Sequence, residues 1–270
     1  MCRVLKVSRS GYYAWSVRPV SRRKHENRKL LEAIRKVYLE SRRRYGSPRV
    51  YQQLRENGVF CGRHRVARLM RQNSIVCTRS IRYKCAEKSK QRRLNVAANV
   101  LDRQFQVLRP NRVWAGDITC FWTGGGWLHL AIVMDLFSRK VIGWAMGNRM
   151  TEELAMSSLS MALLDRCPDR ENLLHHSDQG TQYTSDRFQM LLRENHLTCS
   201  MSRKGECYDN AVVESFFKTV KAEIPWHRRF KTREEARKEL FEYIEVFYNR
   251  KRLHSTLGYM SPVAYEAKLT

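Results

Sequence analysis

The chain has 270 residues, enough for one well-buried core and a smaller second unit. It carries 51 Lys and Arg against 26 Asp and Glu, and the excess is uneven: residues 1–110 hold 29 against 6, a balance of +23, while the remainder is nearly neutral with 22 against 20. A block of that kind selects a polyanion as partner, because each Lys or Arg set on a phosphate releases condensed counterions; the aliphatic and aromatic residues running through it speak against a merely solvating basic tail.

The eight cysteines (Cys2, Cys61, Cys77, Cys85, Cys120, Cys167, Cys199 and Cys207) form no Cys-x-x-Cys pair and have no histidines at zinc-finger spacing, so a structural zinc site is not expected. There is no signal-peptide pattern, and the most apolar stretch, residues 127–134, is too short to cross a bilayer. The expectation is a cytoplasmic protein with reduced thiols and no membrane partner.

In chain order, residues 26–40 place Leu30, Leu31, Ile34, Val37 and Tyr38 on one helical face. Ser47-Pro48 opens a second helix that carries Val50, Tyr51 and Leu54 and stops at Asn57-Gly58. A third helix from about Arg63 turns Val66, Leu69 and Met70 inward and Arg63, Arg65, Arg68 and Arg71 outward. Three short helices with a basic last one suggest a helix-turn-helix module over residues 1–78, with a small bundle bearing solvated arginines as the alternative. Residues 79–110 read as a basic connector.

Beyond Pro110 the period changes. Residues 113–122 read as a strand, Gly124-Gly125-Gly126 as a tight turn, 127–137 as a second strand and 141–147 as a third, which together make an antiparallel meander. A helix over 151–166, a strand over 173–178, a helix over 186–196, a strand over 197–202 and a helix over 210–223 follow. This order predicts an α/β fold with a mixed sheet over residues 111–225 and a helical extension over 226–270.

Asp117 sits in the first strand among Val113, Trp114, Ile118 and Phe121, where a charge is costly unless paired or bound to metal. Asp178 falls where the fourth strand ends, the edge at which functional groups gather in open α/β sheets. Glu214 lies on the last core helix after 35 intervening residues, and Lys218 and Lys221 share its face at i+4 and i+7, while Val212, Phe216 and Val220 are expected to pack inward. Three such acids form a donor set suited to hard divalent cations, and two ions roughly 3.5–4 Å apart stabilise both the attacking and the leaving oxygen of a phosphodiester displacement. Asp209-Asn210 reads as the helix N-cap, and Asp135 as a structural group at the turn before Ser138. His176 has two open readings, an orienting group or a histidine satisfied by backbone hydrogen bonds. Trp114, Trp122 and Trp127 are expected in the core.

The stretches WAGDIT, DLFSRKVIGW, HHSDQGTQYTS, SMSRKGECYDNAVVESFFKTVKAE and FYNRKRLHSTLGYMSP closely resemble the integrase-type core of bacterial insertion-sequence transposases encoded in two overlapping reading frames, specifically the second-frame product. YGSPRVYQQLRENG resembles that family's helix-turn-helix region. The resemblance implies a ribonuclease H-like core in which Asp117, Asp178 and Glu214 form an Asp, Asp, 35-spacer, Glu triad holding two Mg²⁺ ions, with Mn²⁺ able to substitute. It also implies double-stranded DNA as partner, at element ends and target, bound by a homo-oligomer and associated with the nucleoid.

Lys221 fills the family's basic position seven residues after the Glu, and Arg203, Lys204 and Lys218 flank the same helix as expected DNA contacts, with Arg63, Arg65 and Arg68 in the N-terminal module. Two features depart from related proteins: no His/Cys zinc domain of the retroviral kind precedes the core, and no sustained heptad pattern is present. An upstream first-frame product, or a fusion with it, is therefore an expected partner. A catalytically silent DNA-binding regulator fits the basic region equally well but gives the triad no purpose, and a plain nuclease on the same fold is the third reading.

Overall fold

The computed structural model describes residues 2–19, 21–77, 95–168, 173–224 and 230–268. They divide into two compact units, Met1–Thr78 and Arg79–Thr270. The first unit contains α1 (Arg9–Ser16), α2 (Arg22–Glu40), α3 (Ser47–Glu56) and α4 (Arg63–Gln72). Helix α2 begins a turn earlier than the hydrophobic period indicates, because Ser21 caps it by accepting from the Lys24 amide at 3.3 Å. Pro48 stands in the first turn of α3, and Gly58, at φ +76°, ends that helix segment. Leu30, Ile34, Val37, Val50, Leu54, Val66, Leu69 and Met70 are buried together with Tyr45.

Arg63 and Arg68 are exposed, as the pattern requires. Arg65 differs from the outward reading: its Nε donates to Asn27 Oδ1 at 2.7 Å and a terminal nitrogen reaches Glu26 at 3.4 Å, so it ties α4 to α2. Helix α1 has no counterpart in the sequence reading. Ser8 caps it, and none of its residues is buried, so no hydrophobic stripe announced it.

The second unit is built on β1 (Val113–Thr123), β2 (Gly126–Asp135), β3 (Val141–Gly147), β4 (Leu174–Ser177) and β5 (Thr198–Met201), in the spatial order β3-β2-β1-β4-β5. The first three strands pair antiparallel, and β1, β4 and β5 run parallel. The hairpin is tighter than predicted: Thr123 pairs with Gly126, so the turn is Gly124-Gly125 alone. This is the ribonuclease H-like α/β arrangement.

On one face, α5 (Glu152–Arg166) and α6 (Asp186–Glu194) cover a core that includes Trp114, Val133, Ile142, Leu159, Leu173, Phe188 and Leu192. Helix α5 lies so close to β3 that a side chain at Gly143 would stand 2.1 Å from the Ser158 carbonyl oxygen, which only glycine avoids. Helix α7 (Ala211–Glu223) lies against β1, and α8 (Arg233–Phe241), a π-helical turn (Glu242–Tyr248) and α9 (Pro262–Ala267) complete the unit. The inward residues of α7 are Val213, Phe216, Phe217 and Val220 rather than the expected Val212, Phe216 and Val220. Phe216 meets Tyr248 edge to face at 4.7 Å, so the C-terminal segment sets which way the helix faces.

Both edges of the sheet are occupied. The Asn249 side chain pairs with β3 as a strand would, accepting from the Val141 amide at 3.0 Å and donating to its carbonyl at 2.9 Å, while Arg237 donates to the Met146 carbonyl at 2.8 Å. On the other side, residues 98–101 lie along β5: Met201 donates its amide to Ala98 O at 3.3 Å, and Ser200 Oγ accepts from the amides of Val100 and Leu101 at 3.0 and 3.1 Å. The described part of the predicted connector is thus a strap on this unit, and residues 79–94 lie outside the described residues.

The C-terminal segment is locked to α7 by a buried ion pair. The Arg252 guanidinium donates to both Glu223 oxygens at 2.7–3.1 Å, and the Tyr243 hydroxyl adds a bond at 2.8 Å. Removing one member strands a buried charge, which costs about 3–5 kcal/mol. Arg252→Ala is expected to lower the unfolding free energy by about that amount; urea denaturation checks it, and a loss below about 1 kcal/mol would mean Glu223 is satisfied by other groups.

Candidate active site

Parallel pairing fixes the first two acids. Trp114 stands opposite His175 and Ala115 opposite His176, so continuing the register by two residues brings Asp117 level with Asp178, just past the end of β4. Each is held by a local amide: Asp117 Oδ1 accepts from Ile118 N and Asp178 Oδ1 from Gly180 N, both at 2.8 Å. The third acid comes from α7, whose start is moored to β1 by Asn210 Nδ2 donating to the Gly116 carbonyl at 3.3 Å. Asp117, Asp178 and Glu214 line one cleft of about 290 Å³ together with Gln179, Ser202, Arg203, Lys204, Glu206 and Asn210.

The carboxylates are not gathered into a ready ligand sphere. Among the described residues no three His, Cys, Asp or Glu side chains converge closely enough to hold an ion as they stand, and Glu214 accepts from Lys218 Nζ at 3.4 Å. Unscreened like charges repel, so an open arrangement is what three acids adopt by themselves. As a donor set, three carboxylates around a polar cleft suit a hard divalent cation and would serve a soft one poorly.

A model of an integrase core domain matches residues 107–207, a second integrase core model residues 214–269, and an HTH-like domain model residues 24–83. The transposase InsF of insertion sequence IS3A from Escherichia coli K12 is 42% identical over 99% of this chain and 93% of its own length. An uncharacterized 31 kDa protein of insertion element IS600 from Shigella sonnei is 42% identical over 99% of this chain and 98% of its own. The chain belongs to the insertion-sequence transposases. It is an enzyme of the polynucleotidyl-transferring kind, with an N-terminal HTH-like domain. Among solved structures, a simian T-cell lymphotropic virus intasome bound to a phosphatase regulatory subunit matches with 16% identity and TM-score 0.45 over 80% of this chain and 73% of that one. The HTLV-2 integrase catalytic core in complex with magnesium matches with 17% identity and TM-score 0.38 over 59% and 98%. Likeness at that level carries no argument about chemistry.

Several residues of the transposase act differently from their sequence reading. Of the expected cap pair, Asn210 is the N-cap of α7 and Asp209 is not; the Asp209 side chain is 0% exposed and accepts from Arg203 N (2.9 Å), Arg203 Nε (3.0 Å) and Nη2 (2.9 Å), Arg103 Nε (2.7 Å) and Asn99 Nδ2 (2.9 Å). One buried carboxylate thus joins the strap, the cleft wall and the entry to α7. Arg203, half exposed and lining the cleft, is turned onto Asp209 and Asp102 and stands there as a paired cation. Lys204 is exposed at the cleft, Lys218 is exposed beside Glu214, and Lys221 Nζ lies 5.5 Å from the centre of the Phe121 ring.

His176 is buried between two hydroxyls, with the Asp209 backbone beside it as a further hydrogen-bonding group. Ser200 Oγ already accepts two amides, so its proton goes to His176 Nδ1 at 2.9 Å; Nε2–H then donates to Ser202 Oγ at 3.1 Å, and Ser202 donates to the Ser177 carbonyl at 3.3 Å. Burial pushes this imidazole down to about 4, so it stays neutral at pH 7. Asp135 is fully buried at the β2–β3 turn and accepts from Asn111 N and Phe137 N at 2.9 and 3.0 Å, with burial raising it to about 6. Trp114 is core, but Trp122 and Trp127 are 54% and 48% exposed, edge to face at 5.0 Å where the hairpin outruns the helices that cover the sheet.

The Arg203 guanidinium, then the Arg203 amide and Arg103, hold the Asp209 carboxyl well below the usual carboxylate range against the cost of burial. A depressed carboxyl contributes stability that is present above its unfolded pKa and lost as pH falls through the folded value. Asp209→Asn is therefore expected to lower the thermal midpoint at pH 7. The gap between variant and wild type should narrow as the pH falls below about 4, in melting curves taken across a pH series; a constant gap would assign the loss to packing alone.

Proposed function

We propose that this cleft is where the transposase cuts and joins DNA strands, with Asp117, Asp178 and Glu214 as the ligands of Mg²⁺, two ions per site, and Mn²⁺ able to substitute. The observation that carries this reading is the convergence of three carboxylates from β1, the end of β4 and α7 on one polar cleft. When bound, divalent ions would supply charge stabilisation for the attacking and leaving oxygens of phosphodiester exchange. The chain's own contribution is positional. Asp117 and Asp178 are fixed by register and by backbone amides, Glu214 by the mooring of Asn210, and the oxyacid set recruits the cation that relieves its own repulsion. Water and then a DNA 3′-hydroxyl act as successive nucleophiles, and no covalent intermediate with the protein is needed.

Lys204, Lys218 and Lys221 are proposed phosphate contacts, Lys218 releasing Glu214 when the cation arrives. Residues 1–78, with Arg63 and Arg68 outward on α4, are the proposed module for double-stranded DNA at element ends, while residues 111–225 form the core and 226–270 its extension. Joining two ends to a target calls for more than one copy on DNA, and we propose a homo-oligomer, with a first-frame product or a fusion to it supplying further recognition.

The test is reversal of strand transfer with Mg²⁺ or Mn²⁺ on a branched DNA that mimics the joined product. Wild type is expected to reseal it, and Asp178→Asn and Glu214→Gln to lose that activity by several orders of magnitude while still binding DNA. Full activity in Asp178→Asn would refute the assignment. Lys221→Ala is expected to weaken DNA binding and reduce the slope of log K against log salt by about one unit, and an unchanged slope would rule out the phosphate contact.

A further inference from the structure

Behind the two aspartates, on the side of the sheet away from α7, lie polar atoms that the fold leaves without partners. The Tyr183 side chain is 3% exposed and its hydroxyl meets no hydrogen-bond partner; both ring nitrogens of the fully buried His175 are in the same condition. An unsatisfied buried hydroxyl costs about 1–3 kcal/mol. Phenylalanine would fill the same volume without that cost, so packing alone gives no reason for the oxygen.

The location of the hydroxyl supplies a reason. Asp178 Oδ1 accepts from Gly180 N at 2.8 Å, and the Gly180 carbonyl accepts from Tyr183 N at 3.0 Å, so the turn that bears Tyr183 closes on the acid itself. The ring packs edge to face on Phe188 at 5.2 Å and lies against His175 at 6.3 Å, which holds it in this part of the core. His175 in turn is pressed against β1 beside Asp117: a Cβ at Gly116 would stand 3.0 Å from His175 Nε2. Burial holds His175 at about 3, hence neutral, and burial together with Asp117 and Asp178 keeps the phenol protonated. A protonated donor without a partner thus lies beside the turn of Asp178, within electrostatic reach of both carboxylates.

We propose that Tyr183 is a positioning residue for Asp117 and Asp178, its hydroxyl donating a hydrogen bond to these carboxylates when a divalent cation gathers them, so that their oxygens are aimed at the ion. Outer partners that orient ligating side chains commonly change metal affinity by roughly 10–100-fold when removed. The assignment rests on the metal-binding reading of the cleft.

The experiment is Mn²⁺ binding to the full chain, followed by calorimetry or by loss of the free-ion magnetic resonance signal, for wild type and Tyr183→Phe, with the thermal midpoint of each metal-free protein measured alongside. The expected result is a dissociation constant raised about tenfold in Tyr183→Phe with a thermal midpoint equal to or above wild type. Equal Mn²⁺ affinity in the two proteins would overturn the role of Tyr183 and leave the metal site standing. A lower midpoint in the variant would also overturn it, by showing that the hydroxyl has a structural partner in the metal-free fold. Absence of Mn²⁺ binding by folded wild type and Asp178→Asn alike would bring down the metal-binding reading itself, and the proposal with it.

Discussion

The parallel pairing of β1 with β4 is the constraint on which the rest of the molecule depends. Side chains alternate along a strand, so a register shift of one residue would carry Asp117 to the face of Trp114 and break its alignment with Asp178. Hydrophobic burial enforces the register: Trp114 is fully buried in the core beneath α5 and α6, and a shift would pull that ring out of the cluster it fills. The same packing that stabilises the sheet therefore sets the spacing of two acids on its opposite face. The third acid is placed by a separate device, the mooring of α7 through Asn210 at its start and the Glu223–Arg252 pair at its end. Helix position is thus determined at both ends, and Glu214, one turn into α7, inherits it.

Asp209 is the point at which these devices meet. Its two oxygens take five hydrogen bonds from Asn99, Arg103 and Arg203, and the residue stands at the entry to α7. The strap, the loop that bears Lys204 and the helix that bears Glu214 are consequently coupled through one carboxylate. His176 adds a second, neutral link between the strap and the cleft, running through Ser200 to Ser202. The strap is thus joined by hydrogen bonds to the cleft wall although none of its residues is among those that line the cleft.

Much of this was legible in the chain itself. The switch from helical to alternating period at residue 110, the Pro48 and Gly58 signals, the Gly124-Gly125 hairpin and the amphipathic helices gave the order of elements, because each is a local signal with a local cause. The acids Asp117, Asp178 and Glu214 were legible by chemistry and spacing. Features that depend on tertiary partners were not. Asp209 has the sequence appearance of a cap, and only the arrival of Arg103 from a hundred residues earlier makes it a buried hub. Arg203 and Arg65 look like solvated cations until Asp209 and Asn27 are seen beside them. Trp122 and Trp127 alternate as core residues do, yet both rings stand half exposed near the hairpin tip, beyond the cover of α5 and α6. Helix α1 buries nothing, and a helix without a buried face leaves no stripe to read.

The covering of both sheet edges bears on how copies of the transposase can come together. An uncovered edge offers a row of free amides and carbonyls to any passing strand and is a route to edge-to-edge aggregation. With Asn249 and Arg237 on one border and the strap on the other, backbone-templated growth is blocked in both directions. Any contact between copies would then have to be made by side-chain surfaces, which can be specific where a ladder of backbone hydrogen bonds is not.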